Sequence, residues 1–182
     1  MINILYVHGL RRTEDADESR TATALRYCLD PLKYKVIAPI FPSRGKEALI
    51  SIQQAIIDHD IQIVVASSLG GFLSLLLRDI PKIVINPCCN PFVELNKLGF
   101  EDLALTYNNL LSSLWENIEP FDVEFTYGVF GMHDELFSYK CEFEKSYKHA
   151  LMIDDGHRIS IENVRQVISP LVEQISISKQ IR

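Results

Sequence analysis

The stretch Ile61-Gln62-Ile63-Val64-Val65-Ala66-Ser67-Ser68-Leu69-Gly70-Gly71-Phe72-Leu73-Ser74-Leu75-Leu76-Leu77 changes character midway and constrains the rest of the chain. It begins as a β-branched run, breaks over small residues and continues with helix-like apolar usage, which predicts strand, tight turn and helix. A serine in such a turn is lifted above the sheet edge in a strained backbone conformation costing roughly 1–3 kcal/mol, tolerated only where small neighbours let strand and helix approach. Ala66 and Gly70, two residues to either side of Ser68, are those neighbours. The resulting Ala-x-Ser-x-Gly is one methyl away from the Gly-x-Ser-x-Gly turn that presents a nucleophilic serine, with Ser68 as nucleophile and the Leu69 N–H as an oxyanion donor. A glycine-rich turn in any α/β domain is the alternative reading of this stretch taken alone.

The flanking chain repeats the same alternation. Ile2 to Val7 predicts a buried first strand that ends in His8-Gly9-Leu10, where glycine allows a sharp turn. Open α/β sheets bind ligands at that carboxyl edge, so His8 and Gly9 are candidate substrate-binding residues and the Leu10 N–H a candidate second oxyanion donor. Arg11 to Ser19 predicts a surface loop, and about Asp17 to Asp30 a helix stopped by Pro31, with Leu25 and Leu29 on its core face. Tyr34 to Ala38 predicts a second strand and about Lys46 to His59 a helix. Lys82 to Asn86 predicts a fourth strand, apolar in its middle as a buried parallel strand should be. From Cys88 to Pro120 the pattern is least regular but rich in large apolar residues, which predicts a small helical cap whose Phe92 and Leu95 line an acyl pocket; an ordinary crossover helix with a long lead-in is the alternative. Val123 to Phe130 predicts a fifth strand delivering Gly131-Met132-His133-Asp134, and His149 to Ile153 a sixth delivering Asp154-Asp155-Gly156-His157. A last helix is expected over about Ser160 to Ile177, kinked or broken at Pro170.

Composition bounds the function classes. A chain of 182 residues suits one domain over 1–182, with the cap-like insertion at about 88–120. A formal net charge of −6, from scattered acids with no basic patch, argues against a nucleic-acid partner. No apolar run has membrane-spanning length and no secretory leader is expected, so neither a membrane partner nor export is anticipated. Cys28, Cys88, Cys89 and Cys141 lack C-x-x-C spacing and suit a reducing cytoplasm.

Ser68, Asp134 and His157 each fall just past a predicted strand, in the order nucleophile, acid, histidine. A hydroxyl is a poor nucleophile until an imidazole takes its proton, and the imidazole needs a carboxylate to fix its tautomer and stabilise its cation. Asp154 and Asp155 lie close enough in sequence to His157 to compete for that role, though an acid on its own strand approaches the ring from behind more readily. Tyr6-Val7-His8-Gly9, Ser67-Ser68-Leu69-Gly70-Gly71-Phe72, Ile85-Asn86-Pro87, Gly131-x-x-Asp134 and Gly156-His157 together resemble the α/β-hydrolase superfamily, and within it the small single-domain bacterial esterases of the YqiA type. Ala66 departs from that pattern, which carries glycine there.

The resemblance implies a three-layer α/β/α sandwich with a mostly parallel six-stranded sheet in the order 2-1-3-4-5-6. It also implies carboxylic ester hydrolysis on a small-molecule acyl ester or thioester, with no cofactor and no metal. Short to medium acyl groups are expected, because so short a cap encloses little room. Two other classes stay open: a metal hydrolase using His8, His133, Asp134, Asp154, Asp155 and His157, and a non-catalytic binding protein on the same fold. No H-E-x-x-H spacing supports the former. The oligomeric state is not legible in the sequence.

Overall fold

A computed structural model of the chain describes residues 1–10 and 19–180, so all but Ser19 of the loop expected over Arg11 to Ser19, and the first two residues of the helix expected from about Asp17, lie outside the described residues. Six strands form one sheet: β1 (Ile2–Val7), β2 (Tyr34–Ile37), β3 (Ile61–Ser67), β4 (Lys82–Ile85), β5 (Thr126–Gly131) and β6 (His149–Ile153). Their order is β2-β1-β3-β4-β5-β6 and every neighbouring pair is parallel. The expected order is met, and the sheet is wholly rather than mostly parallel.

Parallel strands joined by crossovers are covered on both faces, and these strands alternate between two cores accordingly. Leu5 and Val7 of β1, with Val64 and Ala66 of β3, belong to one apolar cluster. It also holds residues of α2 (Gly45–Asp58) and α3 (Ser68–Leu75). Ile4, Tyr6, Ile63 and Val65 belong to the other, with α1 (Arg20–Cys28) and the C-terminal helical region. Leu25 and Leu29 are buried there as expected.

The strands are staggered so that their carboxyl ends are level: Val7 pairs with Ala66, Ser67 with Ile85, Ile85 with Val129, and Gly131 with Ile153. Six connections therefore leave the sheet along one edge, the edge at which open α/β sheets hold ligands. Residues 88–120 form α4 (Pro91–Lys97), α5 (Glu101–Leu105), α6 (Asn108–Leu111) and a 3-10 turn over Ser112–Trp115. Leu95, Ala104, Tyr107 and Leu114 of this segment are buried in the α2/α3 cluster.

The start of β5 differs from the sequence pattern. Val123 to Phe125 belong to a helix, α7 (Pro120–Phe125), and β5 starts only at Thr126. Pro120 stands in the first turn, where its missing N–H costs nothing, and Glu119 and Asp122 cap that turn reciprocally, so local capping overrides the strand propensity of Val123. After α8 (Lys140–Phe143) and β6, the last helix is not broken at Pro170 but widened just ahead of it. A short α9 (Ile161–Asn163) runs through a wider π turn at Val164–Ile168 into α10 (Ser169–Gln180). Widening the turn relieves the clash between a proline ring and the carbonyl four residues back.

Candidate active site

Ser68 opens α3 with φ +52°, a left-handed conformation that is costly for a residue with a side chain. Three close approaches hold it there. A Cβ on Gly70 would lie 2.4 Å from the His8 carbonyl oxygen and 2.5 Å from that of Val7, so α3 sits against the end of β1 at a distance only glycine permits. A Cβ on Gly71 would lie 3.0 Å from Pro87, and the Cys88 N–H donates to the Ser68 carbonyl at 3.0 Å. Ala66 is fully buried between β1 and β4, and the extra methyl relative to glycine is accommodated there.

The two adjacent serines differ in their partners. Ser67 Oγ is 2.8 Å from the Tyr6 hydroxyl, which also accepts from Ser19 Oγ at 3.0 Å. Ser68 Oγ bonds to no other described residue and lies against Gly9, where an added Cβ would come within 3.5 Å of it.

His157 follows β6 and Asp134 follows β5. The His157 Nδ1 is 2.9 and 3.1 Å from the two Asp134 carboxylate oxygens, with both side chains nearly buried at 10% and 4% exposure. Facing a carboxylate, Nδ1 carries the proton, which leaves Nε2 free to accept one. Burial pushes the Asp134 carboxyl up, but hydrogen bonds from His157 and from the Leu136 and Phe137 N–H groups outweigh it and hold the group below its usual range. Phe137 packs edge-on against the imidazole at 4.8 Å between ring centres. Among the described residues no hydrogen bond joins Ser68 Oγ to His157 Nε2, a contact that commonly tightens only when substrate is bound.

The rival carboxylates are engaged elsewhere. Asp154 pairs with His133 Nε2 at 2.9 Å in solvent. Asp155 accepts from the Ser160 N–H at 2.6 Å, from Asn163 Nδ2 at 2.9 Å and from the Gly156 N–H at 3.0 Å, which holds the histidine loop to α9. Among the described residues no three His, Cys, Asp or Glu side chains are grouped to hold a metal ion.

His8 and Gly9 both line a small cleft at the end of β1, and the imidazole of His8 is hydrogen-bonded at both nitrogens. Its Nε2 accepts the Phe41 N–H at 3.2 Å, so Nδ1 carries the proton and donates to the Gly9 carbonyl at 2.8 Å. In a trans peptide the carbonyl and the following N–H point oppositely, so this bond also sets the direction of the Leu10 N–H. Leu10 and Leu69 both line a cleft of about 20 Å³ with Phe41, Pro42, Leu73 and Tyr107. Phe92 and Leu95 do not line it; they belong to the apolar cluster alongside Tyr107.

Asn86 and Glu135 carry no role in the sequence reading. The former is bonded to the loops that carry Asp134 and His157, and the carboxylate of the latter accepts the His157 N–H at 3.0 Å. A single signal hinted at the first: an asparagine, tolerant of left-handed backbone, between a strand and a proline. Glu135 had none, because its role depends on how two loops face each other.

No family model matches the chain and no curated protein is similar to it in sequence. Solved structures are similar in fold. Est1E from Butyrivibrio proteoclasticus superposes with a TM-score of 0.68 at 16% identity, over 97% of this chain and 88% of that one. The esterase domain of a Rhodothermus marinus protein gives 0.64 at 14% identity over 95% and 87%. A haloalkane dehalogenase loop variant from Bradyrhizobium elkanii gives 0.59 at 14% identity over 100% and 92%. The chain has the α/β-hydrolase fold, in a minimal form with six parallel strands. That fold hosts different reactions, so the choice among them rests on the site.

Proposed function

We propose that this α/β-hydrolase-fold chain is a serine carboxylic ester hydrolase that cleaves short to medium acyl esters or thioesters through Ser68, His157 and Asp134. The observation that carries the reading is the two-oxygen approach of Asp134 to His157 Nδ1, at the same sheet edge as a serine strained into a left-handed turn. In this reading His157 Nε2 takes the Ser68 proton as Oγ attacks the acyl carbonyl. The developing oxyanion is held by the Leu69 and Leu10 N–H groups, each worth about 2.7–4 kcal/mol to the transition state. Collapse of the tetrahedral intermediate breaks the bond to the alcohol or thiol, which leaves with the proton from Nε2. Water, activated by the same imidazole, then releases the acid from the acyl-enzyme.

The leaving group must lie near Nε2, on the β6 side of the sheet, which sends the acyl group toward β1 and β2. The cleft bounded by His8, Leu10, Phe41, Pro42, Leu73 and Tyr107 is on that side and is mostly apolar, which supports it as the acyl site. Its volume of about 20 Å³ exceeds only slightly what one water needs, which favours short chains. The cap-like segment at about 88–120 enters this reading through Tyr107, whose hydroxyl is held by the Ser43 carbonyl at 2.6 Å. Four free cysteines, two of them buried, favour a reducing compartment, and we assign the enzyme to the cytoplasm on that ground. No described helix is long and apolar enough to cross a membrane.

The test is covalent labelling with a fluorophosphonate, read by mass spectrometry. Wild type and Ser67→Ala should be labelled at residue 68, Ser68→Ala should not, and turnover of p-nitrophenyl acetate should survive a chelator. Labelling that follows Ser67, or activity that a chelator removes, overturns the reading. Across an acyl series each added methylene should raise kcat/KM about fourfold until the cleft is full, from about 0.8 kcal/mol per buried methylene. Tyr107→Ala should move that limit to longer chains.

A further inference from the structure

We infer that Asn86 is a positioning residue for catalysis, the side chain that sets where His157 stands relative to Ser68. The inference rests on the serine-hydrolase reading above. Asn86 immediately follows β4, which lies between the nucleophile strand β3 and the acid strand β5, and is 3% exposed. Its carboxamide spans both remaining triad loops. Oδ1 accepts the Gly131 N–H at 2.8 Å, where the chain turns toward Asp134, and Nδ2 donates to the carbonyls of Gly156 at 3.1 Å and His157 at 3.0 Å.

Only an amide fits that set. Aspartate has no protons for the two carbonyls, an aliphatic side chain has neither donors nor acceptor, and glutamine is one methylene too long. Asn86 also adopts φ +44° immediately before a proline, a conformation that is costly twice over and persists only where the surroundings hold it.

The next two residues extend the link to the nucleophile. Pro87 packs on Gly71 of α3, and the Cys88 N–H holds the Ser68 carbonyl. Residues 86–88 thus touch, in sequence, the histidine and acid loops, the nucleophile helix and the nucleophile itself. The His157 backbone is pinned from both sides, its N–H by Glu135 and its carbonyl by Asn86. With no described bond from Ser68 Oγ to the imidazole, those backbone pins and Asp134 determine the approach of Nε2.

The experiment is a double-mutant cycle on p-nitrophenyl acetate turnover, with melting temperature recorded for each protein. Asn86→Gly removes the amide while keeping a residue at ease at positive φ, and Asn86→Asp keeps the shape while removing both donors. In the parent, each should lower kcat on the order of 10²-fold, the effect of about 1 Å of misplacement, with KM changed little. In a His157→Ala background, whose residual turnover comes from the oxyanion donors and binding, the same changes should alter kcat by less than about twofold. Equal factors in both backgrounds, or an unchanged kcat in a folded variant, overturn the inference. Failure of both variants to fold overturns it too, because the amide would then hold the domain and not the histidine. Turnover that survives Ser68→Ala removes the serine reading and this inference with it, whereas its loss alongside equal factors removes only the role of Asn86.

Discussion

Gly70→Ala isolates the closeness of helix and strand on which the left-handed turn at Ser68 depends. The added Cβ would stand 2.4 Å from the His8 carbonyl oxygen, 2.5 Å from that of Val7 and 2.9 Å from the Val7 carbonyl carbon, all backbone atoms that no rotamer change can move aside. Against an ordinary carbon–oxygen contact of about 3.3 Å the shortfall is roughly 0.8–0.9 Å, so α3 must retreat from β1 or the end of β1 must move. Overpacking of this kind costs about 1–3 kcal/mol, which for a domain of this size lowers Tm by roughly 2–12 °C. Either displacement shifts Ser68 against the Gly9–Leu10 peptide, and a misplacement near 1 Å at a reacting centre costs on the order of 10²-fold in rate. Thermal melts and kcat on a short ester read both effects. Gly99→Ala is the control, since a Cβ there meets nothing within 4 Å and only its φ of +81° is unfavourable, so its Tm should fall slightly with kcat unchanged. A Gly70→Ala protein with wild-type Tm and kcat would refute the argument that this approach shapes the turn.

Asp134→Asn should lower kcat by up to about 10⁴-fold through loss of the tautomer it enforces, while Asp154→Asn stays within a few-fold in steady-state assays. Asp155→Asn should lower Tm more than kcat, because that carboxylate holds the Ser160 and Asn163 end of the histidine loop. The Asp155 carboxyl is pushed up by burial, but bonds from Ser160, Asn163 and Gly156 outweigh this and hold it below its usual range, as Asp134 is held. A depressed folded-state pKa contributes stability that is present above the unfolded value of about 3.9 and lost as pH falls through the folded value. Urea melts below about pH 4 should therefore show a shallower acid loss in Asp155→Asn than in wild type. Lys82 and Asp122 form a fully buried pair at 2.9 Å, with the Lys82 ammonium also on the Leu77 carbonyl, at the sheet edge opposite the site. Lys82→Met alone should cost about 3–5 kcal/mol and the double change to Met and Leu much less, with kcat of the folded protein preserved; equal costs for the two proteins would show that the pair is not what matters.

Strand and helix identity was legible wherever a residue's burial follows its own neighbours. The β-branched runs of β1, β3 and β4 and the small residues around Ser68 announced an alternating α/β chain, and each of Ser68, Asp134 and His157 stands just past a strand end as the pattern implied. Legibility failed where capping outweighs propensity. At Val123 a proline and two reciprocal caps make a helix out of strand-favouring residues.

The sequence by itself therefore determined an alternating α/β chain and a short set of polar residues at strand ends, because hydrophobic periodicity and turn chemistry are local properties. It favoured Asp134 among three carboxylates and Ser68 over its neighbour, and it expected an acyl pocket at Phe92 and Leu95, without showing what any of these side chains bonds to. The tertiary structure supplies those partners. Asp134 meets His157 while Asp154 and Asp155 bond elsewhere, Ser67 is tied to Tyr6, and the cleft draws its walls from Phe41, Leu73 and Tyr107. A hydrogen bond is made or lost within about half an ångström, and the loops concerned are brought together only by the stagger of parallel strands that are distant in sequence. Asn86 shows this most plainly: its bonds reach 45, 70 and 71 residues along the chain, beyond anything a periodic pattern encodes.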